Sequence, residues 1–320
     1  MVKNMMMKAK ICQIFFIICE IIFIFSLSFL LYLARPVATS EVIFLPKGSV
    51  GEIITYLKSK NFNITALDKH ILAYIGHPQS GWIDVGEGKL AKFDFLHKLT
   101  TAKAAMSEIT LIPGETTAIF LKDLAVKLNL NERILNEIYS SSAPIADGFL
   151  VPETYKIPIG INENQLIEYL LRESKASHEN LSKKLLGAYD EQKWQEILIT
   201  ASVIQKEAAD ESEMPLVSSV IQNRLKKGMK LQMDGTLNYG LFSHETVTPK
   251  RIREDKSKFN TYLHEGLPPS PICTVSTAAI KAAINPENSE YLYFVRDKKT
   301  MKHKFSKTYA EHNEHIKSQK

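Results

Sequence analysis

The dominant feature of the hydrophobic pattern is an almost unbroken apolar run, Ile11 to Leu33, reading ICQIFFIICEIIFIFSLSFLLYL. As a helix it would extend roughly 34 Å, long enough to cross the hydrocarbon core of a bilayer. A cleaved leader has an apolar core of only about 7 to 15 residues followed by small residues at a cleavage site, so this run is read as a retained anchor over residues 11–34. Glu20 in mid-span is read as a tolerated charge in a very apolar helix.

Beyond the anchor the pattern alternates between short strands and amphipathic helices. A Pro-containing linker, Arg35 to Ser40, leads to a strand-like EVIFLP, a turn at Lys47 and Gly48, and a helix over Val50 to Lys60 with Ile53, Ile54 and Leu57 on one face. The order recurs: ITLIP (Ile109 to Pro113), a Gly114 turn, a Thr116 cap, and IFLKDLAVKLNL with Leu121, Leu124 and Leu128 at helical spacing. Between these units only a helix near Lys69 to Gly76 is distinctive. From Asn162 helices dominate: Asn164 to His178, Leu181 to Tyr189, Gln192 to Asp210 and Met214 to Lys227. Pro268, Pro269 and Pro271 predict a rigid loop, Ser276 to Ile284 a helix, and YLYFV (Tyr291 to Val295) a strand; the lysine-rich tail is expected to be solvated. The pattern predicts an α+β chain in four parts: residues 1–10, an anchor over 11–34, a small α/β module with its connection over 41–158, and a mainly helical domain with a few strands over 159–320.

Composition changes this picture little, since 45% hydrophobic and 23% charged residues are ordinary for a globular chain. Charge adds orientation: Lys3, Lys8 and Lys10 precede the anchor and Arg35 alone closely follows it, which places the N-terminus in the cytoplasm and the rest outside. Those four bases against Glu20 supply most of the net charge of +5, leaving the remainder close to neutral, so a nucleic-acid groove is not indicated. Cys12 and Cys19 lie in the anchor and Cys273 stands alone, which excludes a disulfide within the exported part.

The candidate chemistry centres on Glu207. In ASVIQKEAAD it follows Ile204, Val203, Thr200 and Ile197 at helical spacing and so falls on the apolar face. A carboxyl group partly withdrawn from water keeps its proton to higher pH and can act as an acid. On spacing alone such a glutamate reads more readily as a surface charge or a salt-bridge partner than as a catalytic group. Glu196, Asp210, Glu211 and Glu213 read as structural, and no GxSxG, HExxH, GxxxxGK[ST] or CxxC pattern is present. His312 and His315 in EHNEH lack a third ligand and are expected to face solvent, so neither metal nor cofactor is expected.

Several blocks in order, ASVIQKEA, SSVIQNRLKKGMKLQMDGTLNYG, FNTYLHEGLPPSPI, YLYFV and HKFSKTYAEHN, with ADGFLVPETY and IPGETT upstream, resemble the endolytic murein transglycosylase, or YceG-like, family. The resemblance implies a single-pass protein of the cell inner membrane, with a LysM-like subdomain and a catalytic domain outside the cytoplasm. Such enzymes cut the MurNAc–GlcNAc β-1,4 bond within nascent peptidoglycan strands, using the muramic acid 6-hydroxyl and leaving 1,6-anhydro ends. It implies Glu207 as the acid and base, and Asn223, Gln232, Asp234, Thr236, Asn260, Thr261, Tyr262 and Glu265 as residues lining the glycan cleft. Peptidoglycan strands, the membrane and peptidoglycan synthases are the implied partners. Met233, Asp234 and Gly235 stand where the family carries a Ser-Asp-Pro run, which predicts a looser loop. Two other readings stay open: a muramidase-type hydrolase with Asp234 or Glu265 assisting, and a non-catalytic wall-binding scaffold.

Overall fold

The computed structural model describes residues 2–40, 42–86 and 88–319. It is a mixed α+β chain of mainly helical content, opened by the apolar helix α1 (Val2–Leu33), and it divides into two compact units. The first comprises Met1–Ser107 with Pro158–Gly160, the second Glu108–Ile157 with Ile161–Lys320.

In the first unit the apolar part of α1, Cys12–Leu33, has no buried residues. The expected linker after it is instead a strand. β1 (Pro36–Thr39) pairs antiparallel with β4 (Gly88–Ala91) from Pro36↔Ala91 to Thr39↔Gly88. β2 (Val42–Leu45) pairs antiparallel with β3 (Gly81–Asp84). Three helices pack on these ribbons: α2 (Val50–Ser59), α3 (Leu67–Ile75) and α4 (Lys92–Thr101). α2 starts where it does because Ser49 and Glu52 form a reciprocal capping box. Val37, Leu45, Ile53, Leu57, Leu72, Ile83, Phe95 and Leu99 fill the core. Residues 61–108, which carry few signals in the sequence, thus supply two helices and two strands.

β5 (Met106–Thr110), within which the second unit starts at Glu108, pairs with β6 (Thr154–Pro158), and α5 (Thr117–Leu128) and α6 (Glu132–Ser142) follow. Thr116 occupies the N-cap of α5, but its hydroxyl donates to Gly240 O at 2.7 Å. The capping acceptor is Asp147 Oδ1, 2.6 Å from the Thr117 N–H. Burial pushes the Asp147 carboxyl up to about 6, against the pull of that N–H.

The two helices expected over Asn164 to Tyr189 are one, α7 (Glu163–Leu186). Its polar middle is carried by tertiary bonds: His178 is buried, donates from Nε2 to Phe149 O at 2.8 Å, and accepts at Nδ1 from Trp194 Nε1 at 3.1 Å. α8 (Glu191–Glu207), α9 (Met214–Lys226), α10 (Pro249–Glu254) and α11 (Thr277–Ile284) follow, with 3-10 turns at Asp234–Leu237 and Gly240–Phe242. α8 packs on α9 and α11 around Trp194, Leu198, Val203, Ile204, Val220, Ile221 and Ile280. The lysine-rich tail is solvated as expected, its described lysines exposed and no residue of its last helix buried, yet it carries defined elements. β7 (Tyr293–Arg296) pairs with β8 (His303–Ser306), and α12 (Tyr309–Lys317) closes the chain behind a Thr308–Glu311 capping box.

Candidate active site

Glu207 is the last residue of α8, and the chain turns extended at Ala208. Apolar residues on the preceding turns anchor the helix, with Ala201, Val203 and Ile204 fully buried. Two polar side chains of the same helix fix the proline loop: Ser202 Oγ accepts from Ile272 N at 3.1 Å, and Gln205 Oε1 accepts from Ser276 N at 3.0 Å. The carboxyl group of Glu207 is thereby held on a rigid platform.

Oε1 of Glu207 accepts a hydrogen bond from the Gly235 N–H at 2.7 Å. Oε2 has no hydrogen-bond partner among the described residues, yet it is absent from the sealed, unpartnered atoms of the chain, and the residue as a whole is half-buried. One oxygen is thus fixed and the other is left unpaired. Burial pushes the group up to about 7; the Gly235 N–H pulls it down, the Asp234 charge raises it, and the Arg224 guanidinium lowers it. A position at the carbonyl end of α8 adds to the upward push, because that end of a helix disfavours negative charge.

Gly235 is the residue that the sequence pattern misread. The loop around it is tight: Met233 N donates to Thr261 Oγ1 at 3.1 Å, and Thr236 Oγ1 donates to Met233 O at 2.7 Å. A Cβ at Gly235 would come within 2.6 Å of Lys206 Cβ and 2.9 Å of Glu207 Oε1. Glycine here serves close approach, not flexibility.

The other expected site residues separate into two groups. Thr236, Asn260 and Thr261 are sealed, and their polar atoms are engaged inside the protein: Asn260 Nδ2 donates to Ile252 O and Asp255 O at 2.8 and 2.7 Å, and Thr236 and Thr261 share a 3.0 Å hydroxyl contact. Asn223 Nδ2 likewise donates to Ser289 O and Tyr291 O at 2.8 and 3.0 Å. The polar atoms of these four residues are thus spent on the protein's own backbone and side chains. By contrast Gln232, Asp234 and Glu265 are exposed and Tyr262 is half-buried. Gln232 is turned outward by a left-handed backbone at φ 52°. Tyr262 Oη donates to Asp234 Oδ1 at 2.7 Å, and burial together with that carboxylate raises the phenol. Glu207, Gly235, Asp234 and Tyr262 thus form one contiguous cluster.

Arg224 is a member of the site that sequence reasoning passed over. It is buried, with Nε donating to Leu292 O at 2.6 Å and Nη1 to Leu231 O at 2.7 Å and Lys230 O at 3.1 Å, and its Cζ lies 5.1 Å from the Tyr293 ring centre. The only signal for it was its place in the NRL triplet after Asn223. The tail histidines are half-buried, not solvent-facing: His312 stacks on Tyr293 at 5.4 Å and His315 Nδ1 meets Ser306 Oγ at 3.2 Å. A cavity of about 650 Å³ between α6 and α7, lined by Ile138, Phe149, Ile167, Leu171 and Tyr189, shares no residue with the Glu207 cluster. Its lining includes the Tyr189 phenol, which burial pushes up and away from neutral pH, whereas burial moves the Glu207 carboxyl toward it, so chemistry places the candidate site at Glu207.

A sheltered carboxyl group, with one oxygen held by a backbone N–H and the other unpaired, is an arrangement able to give up and take back a proton. The chain belongs to the YceG-like family, whose model matches residues 45–318. It is 25% identical over 324 residues to an endolytic murein transglycosylase of Bacillus subtilis, covering 91% of this chain and 88% of that one. It is 30% identical over 180 residues to an endolytic murein transglycosylase of Streptococcus pneumoniae, covering 53% of this chain and 31% of the relative. The crystal structure of a putative yceG-like protein from Listeria monocytogenes superposes with a TM-score of 0.54 at 25% identity, covering 87% of this chain and 99% of that one.

Proposed function

We propose that this protein is an endolytic peptidoglycan lytic transglycosylase, a lyase that cuts the MurNAc–GlcNAc β-1,4 bond inside glycan strands and leaves 1,6-anhydro ends. The observation that carries the reading is the divided environment of the Glu207 carboxyl group: a fixed Oε1 and a free Oε2, with proton affinity pushed up to about 7. Near neutral pH a substantial share of the group is protonated, and Oε2 donates to the glycosidic oxygen as the bond breaks. As the carboxylate forms, the Gly235 N–H stabilises it. The carboxylate then takes the proton of the muramic acid 6-hydroxyl as that oxygen closes on the anomeric carbon. An internal nucleophile avoids recruiting a water and removes much of the entropic barrier. One carboxyl group is enough for both proton transfers. Asp234, Tyr262, Gln232 and Glu265 are the residues we assign to the glycan, with Asn223, Thr236, Asn260 and Thr261 supporting them.

The relatives' names and the apolar helix support a cell-wall setting, and in this reading α1 anchors the chain in the inner membrane with residues 1–10 in the cytoplasm. The small module after the anchor serves as a LysM-like glycan-binding element, residues from about 159 onward carry the catalysis, and synthases of new strands are the partners whose products it trims.

The test is digestion of purified glycan strands by the exported part, with products read by mass. Fragments lighter by one water than reducing-end sugars, lost in Glu207→Gln, are expected. Reducing ends alone would make the protein a hydrolase; undiminished cleavage by the variant would remove Glu207 from its role. Strand binding without any cleavage would leave the scaffold reading.

A further inference from the structure

The anchor helix does not hang from a tether. Its last turn is built into the first unit, and the contacts are specific. The Tyr32 hydroxyl hydrogen-bonds Thr65 Oγ1 and accepts from Lys92 Nζ at 3.2 Å, while Nζ stands 4.3 Å from the Tyr32 ring centre. Lys92 Nζ also pairs with Asp68 Oδ2 at 3.2 Å, and Asp68 Oδ2 accepts from Thr65 N at 2.7 Å. The Lys92 N–H donates to Arg35 O at 2.9 Å, and β1 starts at the next residue, Pro36. Lys92 is 1% exposed and Asp68 0%, so this ion pair lies wholly inside the protein.

Burying such a pair costs desolvation that an apolar pair of similar size would avoid, and such pairs are most useful where they fix one arrangement against others. Here the arrangement fixed is that of a bilayer-length helix against the fold it carries. The 22-residue span Cys12–Leu33 is about 33 Å long, so Tyr32 and Arg35 come to the level of the lipid headgroups when the span crosses the hydrocarbon core. The residues next to the buried pair then face the same level. Leu67 precedes Asp68 and is 46% exposed; Phe93 follows Lys92 and is 44% exposed. Both are large apolar side chains left open at the N-terminal ends of α3 and α4, around the point where the anchor enters the fold.

We propose that this collar, Leu67 and Phe93 around the exit of α1, rests in the interfacial zone of the bilayer, and that the Tyr32–Lys92–Asp68 clamp holds the first unit down on the membrane in one orientation. The partner is the lipid surface itself, because the collar is continuous with a span that only a bilayer covers. Apolar and aromatic side chains at the headgroup boundary are stabilised there, and Arg35 beside them suits the phosphate layer. The inference rests on the anchor reading of α1 and is independent of the chemistry at Glu207.

The full-length chain with Cys12→Ser and Cys19→Ser, reconstituted in phospholipid vesicles, tests it. Single cysteines at Leu67, Phe93 or Asp84 carry an environment-sensitive fluorophore, with Cys273 sealed in the core. Asp84 is exposed and pairs with Val42, beyond the far end of β1. Lipids spin-labelled just below the headgroups are expected to quench the Leu67 and Phe93 probes several-fold more than the Asp84 probe. Equal quenching at the three sites in protein that floats with the vesicles overturns the docking alone. Failure to float overturns the anchor and the docking with it. Tyr32→Phe combined with Lys92→Met is expected to bring quenching at Phe93 down toward that at Asp84; no change overturns the clamp.

Discussion

Gly235→Ala probes the site through its single fixed bond. The added methyl would stand 2.6 Å from Lys206 Cβ and 2.9 Å from Glu207 Oε1. Lys206 Cβ is fixed to the backbone of α8 and cannot swing aside, so the loop must retreat and the 2.7 Å N–H bond to Oε1 is lost. A hydrogen bond to a charged acceptor is worth about 1.5–3 kcal/mol, and one pKa unit corresponds to about 1.4 kcal/mol. Its loss therefore raises Glu207 by about one to two units from its value of about 7. A group that must be protonated to act stays protonated to higher pH, so the falling limb of kcat/KM moves up by that amount. The same bond stabilises the carboxylate formed in the transition state, so the maximal rate drops about tenfold to a hundredfold. Initial rates of strand cleavage from about pH 5 to 10 measure both effects, with melting temperature as the control for folding. A folded variant whose limb and maximum both match the wild type would refute the reasoning.

Asp234→Asn acts in the opposite sense: the charge that helps hold the Glu207 proton is removed, so the falling limb moves to lower pH, and a limb that stays put or rises would contradict the assignment. Glu207→Gln changes stability with a defined sign. The folded group has its affinity raised from 4.5 to about 7, so the stability it contributes is complete below 4.5 and is lost as pH rises through 7. The variant is therefore expected to gain on the wild type by at most about 3 kcal/mol at pH 8 and by little near pH 5, as read by denaturant melts at the two pH values. Asp68→Ala leaves Lys92 buried without its partner and is expected to cost about 3–5 kcal/mol, while Asp68→Leu with Lys92→Met costs less; chemical denaturation of the two variants compares them, and a single variant within 1 kcal/mol of wild type would fail the expectation.

What the sequence made visible follows from how each feature is encoded. α1 was legible as an almost unbroken apolar run, and α2, α8, α9 and α11 because apolar residues recur at helical spacing over two turns or more. β1, β3 and β4 are four residues each, too short for alternation to stand out from chance. Glu179 and Asn180 looked like a break between helices, yet α7 runs through them, because the adjacent His178 finds Phe149 and Trp194, partners distant in sequence. Tertiary hydrogen bonds of this kind have no local signature.

The candidate site shows the same division between what side chains announce and what backbones do. Glu207 stood out as a carboxyl group on an apolar helix face, but spacing alone favoured a surface charge, and it was the resemblance of the surrounding blocks that singled it out. Its partner, the Gly235 N–H, lies 28 positions away and is a group that nearly every residue possesses. Residue identity enters only through the missing side chain. A Met-Asp-Gly run therefore looked like slack, whereas here glycine is the one residue small enough to let the loop reach the carboxyl group. Loss of a side chain at that position tightens the contact that lowers the proton affinity of Glu207 against the push of burial, and the pH profile of the Gly235 variant is the measurement in which that contact becomes visible.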